Sequence, residues 1–206
     1  KLGKRVRLHT EGGATELDKS VIDKIVDPLT HLVRNAIDHG LQGPDERRAA
    51  AKDEIGTVTL SASHRAGNVI IEVTDDGRGL DRARILARAA ERGVRISPDA
   101  PDHEVWQLIF EPGFSTAETV TDVSGRGVGM DVVRKNIESL GGQVEATSRT
   151  GHGTTVTIRL PLTLAILDGM SVAVGDETFI LPLNSVVESL QPRDCDIKTI
   201  SGQGRV

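Results

Sequence analysis

Hydrophobic and polar residues alternate through Val6-Arg7-Leu8-His9, the pattern of a short strand, and Gly12-Gly13 then turns the chain toward a helix opened by Asp18. Pro28 has no N–H to donate and its ring crowds the preceding turn, so this helix is predicted to stop before it. Asp27 and Pro28 then read as N-cap and first position of a second helix that runs through Ile37 and ends near Gly40. Residues 40–56 are polar and read as a loop with a short helical patch around 46–52. Residues 58–63 and 69–74 alternate as strands around Arg65-Ala66-Gly67-Asn68, a hairpin. Helical spacing returns over 81–92 and again around 103–110. Residues 111–124 are rich in Pro, Gly, Ser and Thr without periodicity and read as a mobile loop. A helix over 128–140 should stop at Gly141-Gly142, and residues 143–148 and 154–160 make a second hairpin.

From about Leu164 the pattern changes to short strands, residues 170–174 and 178–181 around the turn Gly175-Asp176. The reading is therefore a main domain over 1–163 and the N-terminal part of a second, β-rich one over 164–206, with too few strands to close a barrel. Strands and helices are mixed in the main domain without strict βαβ alternation, which predicts an α+β fold, a two-layer α/β sandwich.

Composition narrows the function classes. With a formal net charge of -5, the chain has no basic stripe to displace counterions from nucleic acid, and aromatic residues at 2 % supply no stacking platform for single strands. Cys195 is the only cysteine, so a disulfide framework and a thiolate metal cluster are both excluded and a reducing cytoplasm is the expected setting. It reads as an inert small residue. No apolar run approaches the ~18 residues that membrane insertion requires. The start Lys1-Leu2-Gly3-Lys4, with neither initiator Met nor an apolar leader, reads as the edge of a fragment of a longer protein. An anionic ligand must meet local cations, backbone amides or a metal ion.

On a helical wheel at roughly 100° per residue, His31, Asn35, Asp38 and His39 share one arc with Arg34 at its edge, and Leu29, Leu32, Val33, Ala36 and Ile37 lie opposite. The apolar face explains packing on a sheet; the polar arc by itself fits a solvated surface as well as a site. Asp75-Asp76-Gly77-Arg78-Gly79 follows a strand, where a carboxylate can accept from an exocyclic amine and glycines allow close approach of a flat ligand, although a surface β-turn uses the same residues. Ser124-Gly125-Arg126-Gly127-Val128-Gly129-Met130 leads into a helix, and amides at a helix N-terminus favour phosphate. Its spacing is neither the Rossmann fingerprint nor a P-loop.

In this order, together with Gly151-x-Gly153-Thr154, these segments resemble the four nucleotide-binding boxes of the Bergerat-type ATPase family that contains histidine kinases, gyrase, Hsp90 and MutL. His-Leu-Val-Arg-Asn-Ala-Ile-Asp-His-Gly at 31–40, Phe-Glu-Pro-Gly-Phe-Ser at 110–115, Ser-Gly-Arg-Gly-Val-Gly-Met-Asp-Val-Val at 124–133 and Leu-Pro-Leu-Thr-Leu-Ala-Ile at 160–166 are similar to the CheA family of chemotaxis histidine kinases, over nearly the whole chain. The resemblance implies that Asn35 ligates Mg²⁺ bridging an ATP triphosphate and that Asp75 accepts from the adenine amino group. It implies that Gly77, Gly79 and Leu80 line the base pocket, that Ser124, Gly125, Arg126, Gly127, Val128, Gly129 and Met130 hold the phosphates, and that Thr154 belongs to the nucleotide site. His31, Arg34, Asp38, His39 and Arg84 are implied as phosphate or metal neighbours; at the Arg84 position Lys is common in the family. Beyond residue 164 the chain resembles the opening of a CheW-like, SH3-type regulatory domain, which implies a CheW-type coupling protein and chemoreceptors as partners. The full-length protein is then expected to be a homodimer and the fragment a monomer that cannot phosphorylate itself.

Relatives that hydrolyse ATP carry Glu one turn before the metal-binding Asn; here His31 stands there. An imidazole can bond a γ-phosphate or shuttle a proton, which favours phosphoryl transfer to a histidine on a separate phosphoacceptor domain, with a regulatory or scaffold module that binds ATP without transfer as the alternative. Trp106 on its amphipathic helix reads as core. His9, His64, His103 and His152 show no metal-ligand spacing and read as solvated.

Overall fold

The computed structural model describes residues 3–114, 129–162, 169–182, 186, 198–200 and 203–205. The chain divides into two compact units, Lys1–Ala165 and Ile166–Val206. In the first unit β1 (Arg5–Glu11), β2 (Ile55–Arg65), β3 (Asn68–Asp75), β4 (Gln143–Arg149) and β5 (Gly153–Pro161) form one sheet in the order β1-β2-β3-β5-β4. Only the β1–β2 pairing is parallel. Alternation decides which face is covered. Register sets Val73 opposite Val156, Ile71 opposite Ile158 and Val69 opposite Leu160, and Val144 opposite Ile158 on the other side of β5. All are buried, whereas Thr74, Thr155, Thr157 and Glu72 between them are only partly so.

Helices α1 (Lys19–Asn35), α3 (Arg82–Glu91), α4 (Asp102–Gln107) and α5 (Met130–Glu138) cover that apolar face with Ile25 and Leu32, Ile85 and Ala89, Val105 and Trp106, and Val133 and Ile137. This is the two-layer α+β arrangement expected from the mixed element order. Trp106 is core, only 4 % exposed, and His9, His64, His103 and His152 are exposed.

One expectation fails. Pro28 does not end a helix: α1 is continuous through it, capped once by Asp18, whose carboxylate accepts from Ser20 N at 2.7 Å, with no second start at Asp27. Proline inside a helix costs about 3 kcal/mol. Ile25, Pro28 and Leu32 are buried along one stripe, and burial of side chains of this kind contributes about 1.5–3 kcal/mol each, so packing outweighs the missing bond. The last turn also departs from the ideal wheel. Ala36–Gly40 is a π-helical turn closed by Leu41 N donating to Ala36 O at 2.8 Å.

The polar stretch after Gly40 holds a short helix, α2 (Pro44–Ala49), that starts with Pro at its first turn. The β2–β3 hairpin turns through Ala66 and Gly67, both at positive φ. The predicted 103–110 helix tightens into a 3-10 turn at Leu108–Phe110. Of the expected mobile loop, Glu111 to Phe114 are described, with Phe114 buried, and the remainder lies outside the described residues. In the second unit β6 (Gly169–Val174) pairs antiparallel with β7 (Glu177–Pro182), and β8 (Lys198–Ile200) with β9 (Gln203–Arg205). Cys195 lies outside the described residues. Among the described residues no helix is long and apolar enough to cross a membrane.

Candidate nucleotide site

The C-terminal half of α1 presents its apolar residues to the sheet, which turns His31 and Asn35 the other way. His31, Asn35 and Asp38 are partly buried, and Arg34 and His39 are exposed. Asn35 Nδ2 donates to Met130 Sδ at 3.1 Å, tying the arc to the start of α5. The π turn then delivers Gly40 against the end of β3. A Cβ on Gly40 would lie 2.8 Å from Asp75 Oδ2, and one on Gly77 would lie 2.1 Å from Gly40 O. Arg78 N donates to Gly40 O at 3.0 Å. Glycine at 40 and 77 is thus what lets helix end and strand end touch, and that contact sets the polar arc beside Asp75.

Asp75 is 5 % exposed and accepts from Gly77 N at 2.8 Å. Burial pushes its carboxyl above the ordinary carboxylate value; the amides of Gly77 and Thr154 pull the other way, and the Asp76 charge adds to the rise. Asp75 is opposite Thr154 across the β3–β5 ladder. Gly79 has φ +76 and packs on Arg149 O, Leu80 N donates to Ser148 Oγ at 2.8 Å, and Ser148 Oγ donates to Gly153 O at 2.9 Å and lies 3.2 Å from Thr154 Oγ1. Gly151 N donates to Arg78 O at 2.8 Å. Four segments distant in sequence, 31–40, 75–80, 129–130 and 148–154, therefore meet at one end of the sheet.

His31 is held below the ordinary imidazole value by burial first, then by the nearby Arg34 and His39, so it is neutral near pH 7. Arg84 lies exposed on the first turn of α3, its backbone N bonded to the Asp81 cap at 3.0 Å. Gly129 caps α5. Ser124, Gly125, Arg126, Gly127 and Val128 lie outside the described residues.

The layer behind the site was not legible. Lys4 Nζ donates to Ile37 O and Asp38 O at 2.8 Å each, and Lys52 Nζ to Asp76 O at 2.8 Å and Gly77 O at 2.6 Å. Arg47, in the short helical patch expected within the polar stretch, is 1 % exposed and pairs with Asp76. The usable signal was the Asp75-Asp76 doublet: two adjacent carboxylates at a strand end repel, and a cation beside one of them relieves that repulsion.

Residues 21–164 match the family described as histidine kinase-, DNA gyrase B-, and HSP90-like ATPase. Over its full length the chain is 61 % identical to the chemotaxis protein CheA of Salmonella typhimurium, of which it spans 31 %. It is 47 % identical over 205 residues to the sensor histidine kinase CheAY of Helicobacter pylori, covering 98 % of this chain and 26 % of that protein. The chain thus spans roughly a third or less of the length of these curated relatives. Among solved structures, the histidine kinase domain of a blue-light-activated histidine kinase from Erythrobacter litoralis is 18 % identical over 76 % of this chain and 55 % of that one, at a TM-score of 0.45. With a family match that covers residues 21–164, the chain belongs to the histidine kinase-, DNA gyrase B- and HSP90-like ATPases.

Proposed function

We propose that this chain is the ATP-binding catalytic domain of a cytoplasmic chemotaxis histidine kinase, which binds Mg-ATP at the end of the sheet and transfers the γ-phosphoryl group to a histidine on a separate phosphoacceptor domain. The observation that carries the reading is His31, a neutral imidazole one turn before Asn35 where a hydrolase needs a carboxylate base. The names of the relatives, a chemotaxis protein and a sensor histidine kinase, support the same assignment.

Asp75 is the acceptor for the adenine amino group, with Gly77, Gly79 and Leu80 beside the base. Gly129, Met130 and the preceding glycine-rich segment take the phosphates. Mg²⁺ would be held by Asn35 Oδ1, the edge of the amide left open when Nδ2 bonds Met130 Sδ, with Asp38 nearby, as suits a hard ion that takes few protein oxygens plus phosphates. Bound there, the ion neutralises charge on the phosphate oxygens. The acceptor imidazole nitrogen forms the new N–P bond, the bond from the γ-phosphorus to the β,γ-bridging oxygen breaks with its electron pair leaving on ADP, and His31, neutral near pH 7, takes the proton that the acceptor sheds.

The second unit, taken from residue 164, is the opening of a CheW-like regulatory domain that contacts a CheW-type coupling protein and chemoreceptors, in a protein that is a homodimer at full length. The reading is tested by incubating the chain with γ-labelled ATP and a separately supplied phosphoacceptor domain. Label should move to the acceptor histidine only with Mg²⁺ present. Nucleotide binding with no transfer under these conditions would make the chain a sensing or scaffold module instead.

A further inference from the structure

The guanidinium of Arg47 is enclosed, its side chain 2 % exposed, and each of its five N–H donors has an acceptor. Nη1 and Nη2 form a fork on Asp76 Oδ1 and Oδ2 at 2.9 and 2.8 Å. The remaining bonds run to the carbonyls of Asp53, Ile55 and Asp76. Asp76 Oδ1 also accepts from Thr57 N at 2.9 Å. Arg47 is buried but the Asp76 side chain is 42 % exposed, so the pair is screened by solvent and is a weak source of net stability, whereas a two-pronged pair holds its partner in one orientation. The orientation held here is that of the residue next to Asp75. The Asp76 carboxylate meets Arg47 and Thr57 N while the Asp75 carboxylate meets Gly77 N, so holding one constrains the other through the shared peptide.

We propose that Arg47 is a positioning residue for base recognition: through its fork on Asp76 it holds the Asp75–Gly77 turn in the conformation that presents the Asp75 carboxylate to a purine amino group. Helix α2, with Pro44 at its start, serves to carry Arg47 to this point, and Lys52 completes the hold by bonding the Asp76 and Gly77 carbonyls. The inference rests on the adenine-site reading above.

Calorimetric titration of the protein with Mg²⁺ and either ATP or inorganic triphosphate separates positioning from simple structural support. Arg47→Met should lower ATP affinity at least tenfold while changing triphosphate affinity less than twofold, and Arg47→Lys, which keeps the charge but cannot form the fork, should lose an intermediate amount for ATP alone. Unchanged ATP affinity, or equal loss of both ligands, overturns the proposal. Where Arg47→Met does not fold, Asp76→Asn breaks the fork and leaves the carbonyl bonds of Arg47, and it is read by the same two outcomes; loss of the fold in both variants assigns the pair a structural role and also overturns it. A wild-type protein that binds ATP no better than triphosphate removes the base site itself, whereas a clear ATP preference that survives the substitutions defeats only the role of Arg47.

Discussion

Asn35 Nδ2 donates to Met130 Sδ at 3.1 Å, so the amide on the polar arc of α1 is oriented by the first residue of α5. With its nitrogen turned toward α5, the amide presents its oxygen on the opposite edge, available to a metal ion. Asn35→Ala should abolish Mg²⁺-dependent phosphoryl transfer while leaving the thermal unfolding midpoint nearly unchanged, because the side chain supports no core. Met130→Leu keeps the volume and removes the acceptor, so the amide loses its fixed orientation; the bond's about 0.5–1.5 kcal/mol sets the upper bound on the effect, a roughly 2- to 12-fold weaker Mg-ATP affinity at most. Full transfer by Asn35→Ala at saturating ATP would remove the residue from the metal site.

Asp75→Asn replaces an acceptor by a group that can offer a donor to the adenine amine. A hydrogen bond to a charged acceptor contributes about 1.5–3 kcal/mol, so ATP should bind roughly 10- to 150-fold more weakly. Equal affinity in the two proteins, measured by calorimetry, would move the base pocket elsewhere.

The same residue carries a pH signature in the ligand-free protein. Its folded carboxyl holds its proton more tightly than the ordinary value of 3.8, so ionisation costs stability as pH rises from 3.8 through the raised folded value, and the cost is complete above it. Relative to wild type, Asp75→Asn should therefore gain stability as pH rises through that window. Urea midpoints for the pair across the acid range check the sign: a difference that does not change with pH would place the Asp75 carboxyl in water.

His31 shifts in the other direction. Its folded value lies below the ordinary 6.5, so the imidazole stays neutral near pH 7 and transfer should fall on acidification through an apparent pKa under 6.5. A proton-transfer role of this kind contributes about 10²- to 10⁴-fold, so His31→Gln should slow transfer within that range and lose the acid limb of the pH–rate profile. Persistence of that limb in the variant would assign it to another group.

Close approach at Gly77 predicts a loss that Gly67 does not share. A Cβ at Gly77 would sit 2.1 Å from Gly40 O, on backbone that cannot yield, so Gly77→Ala should cost about 1–3 kcal/mol or more and separate α1 from the end of β3. Gly67, at φ +74 with nothing within 4 Å, should cost only the backbone conformation, about 1–2 kcal/mol, and leave nucleotide binding intact. Denaturant unfolding together with ATP titration of both variants separates the two effects.

Periodicity by itself determined much of the strand and helix order, because alternation in 154–160 and helical spacing in 29–37 each bury one face, and burial is what the period records. It also determined the chemistry on offer: an arc with His31 and Asn35, a carboxylate after a strand and glycines before a helix. Only tertiary structure decided the path at Pro28, where a buried stripe outweighs a local rule, and the π turn that brings Gly40 onto Asp75. It alone decided the supporting cations. A local pattern assigns Arg47, Lys52 and Lys4 no role because it records what a residue is, while their partners Asp76, Gly77, Ile37 and Asp38 are set by contacts between segments far apart along the chain. Such contacts leave no period in the sequence, since they depend on where folded elements meet and not on which face of an element is apolar.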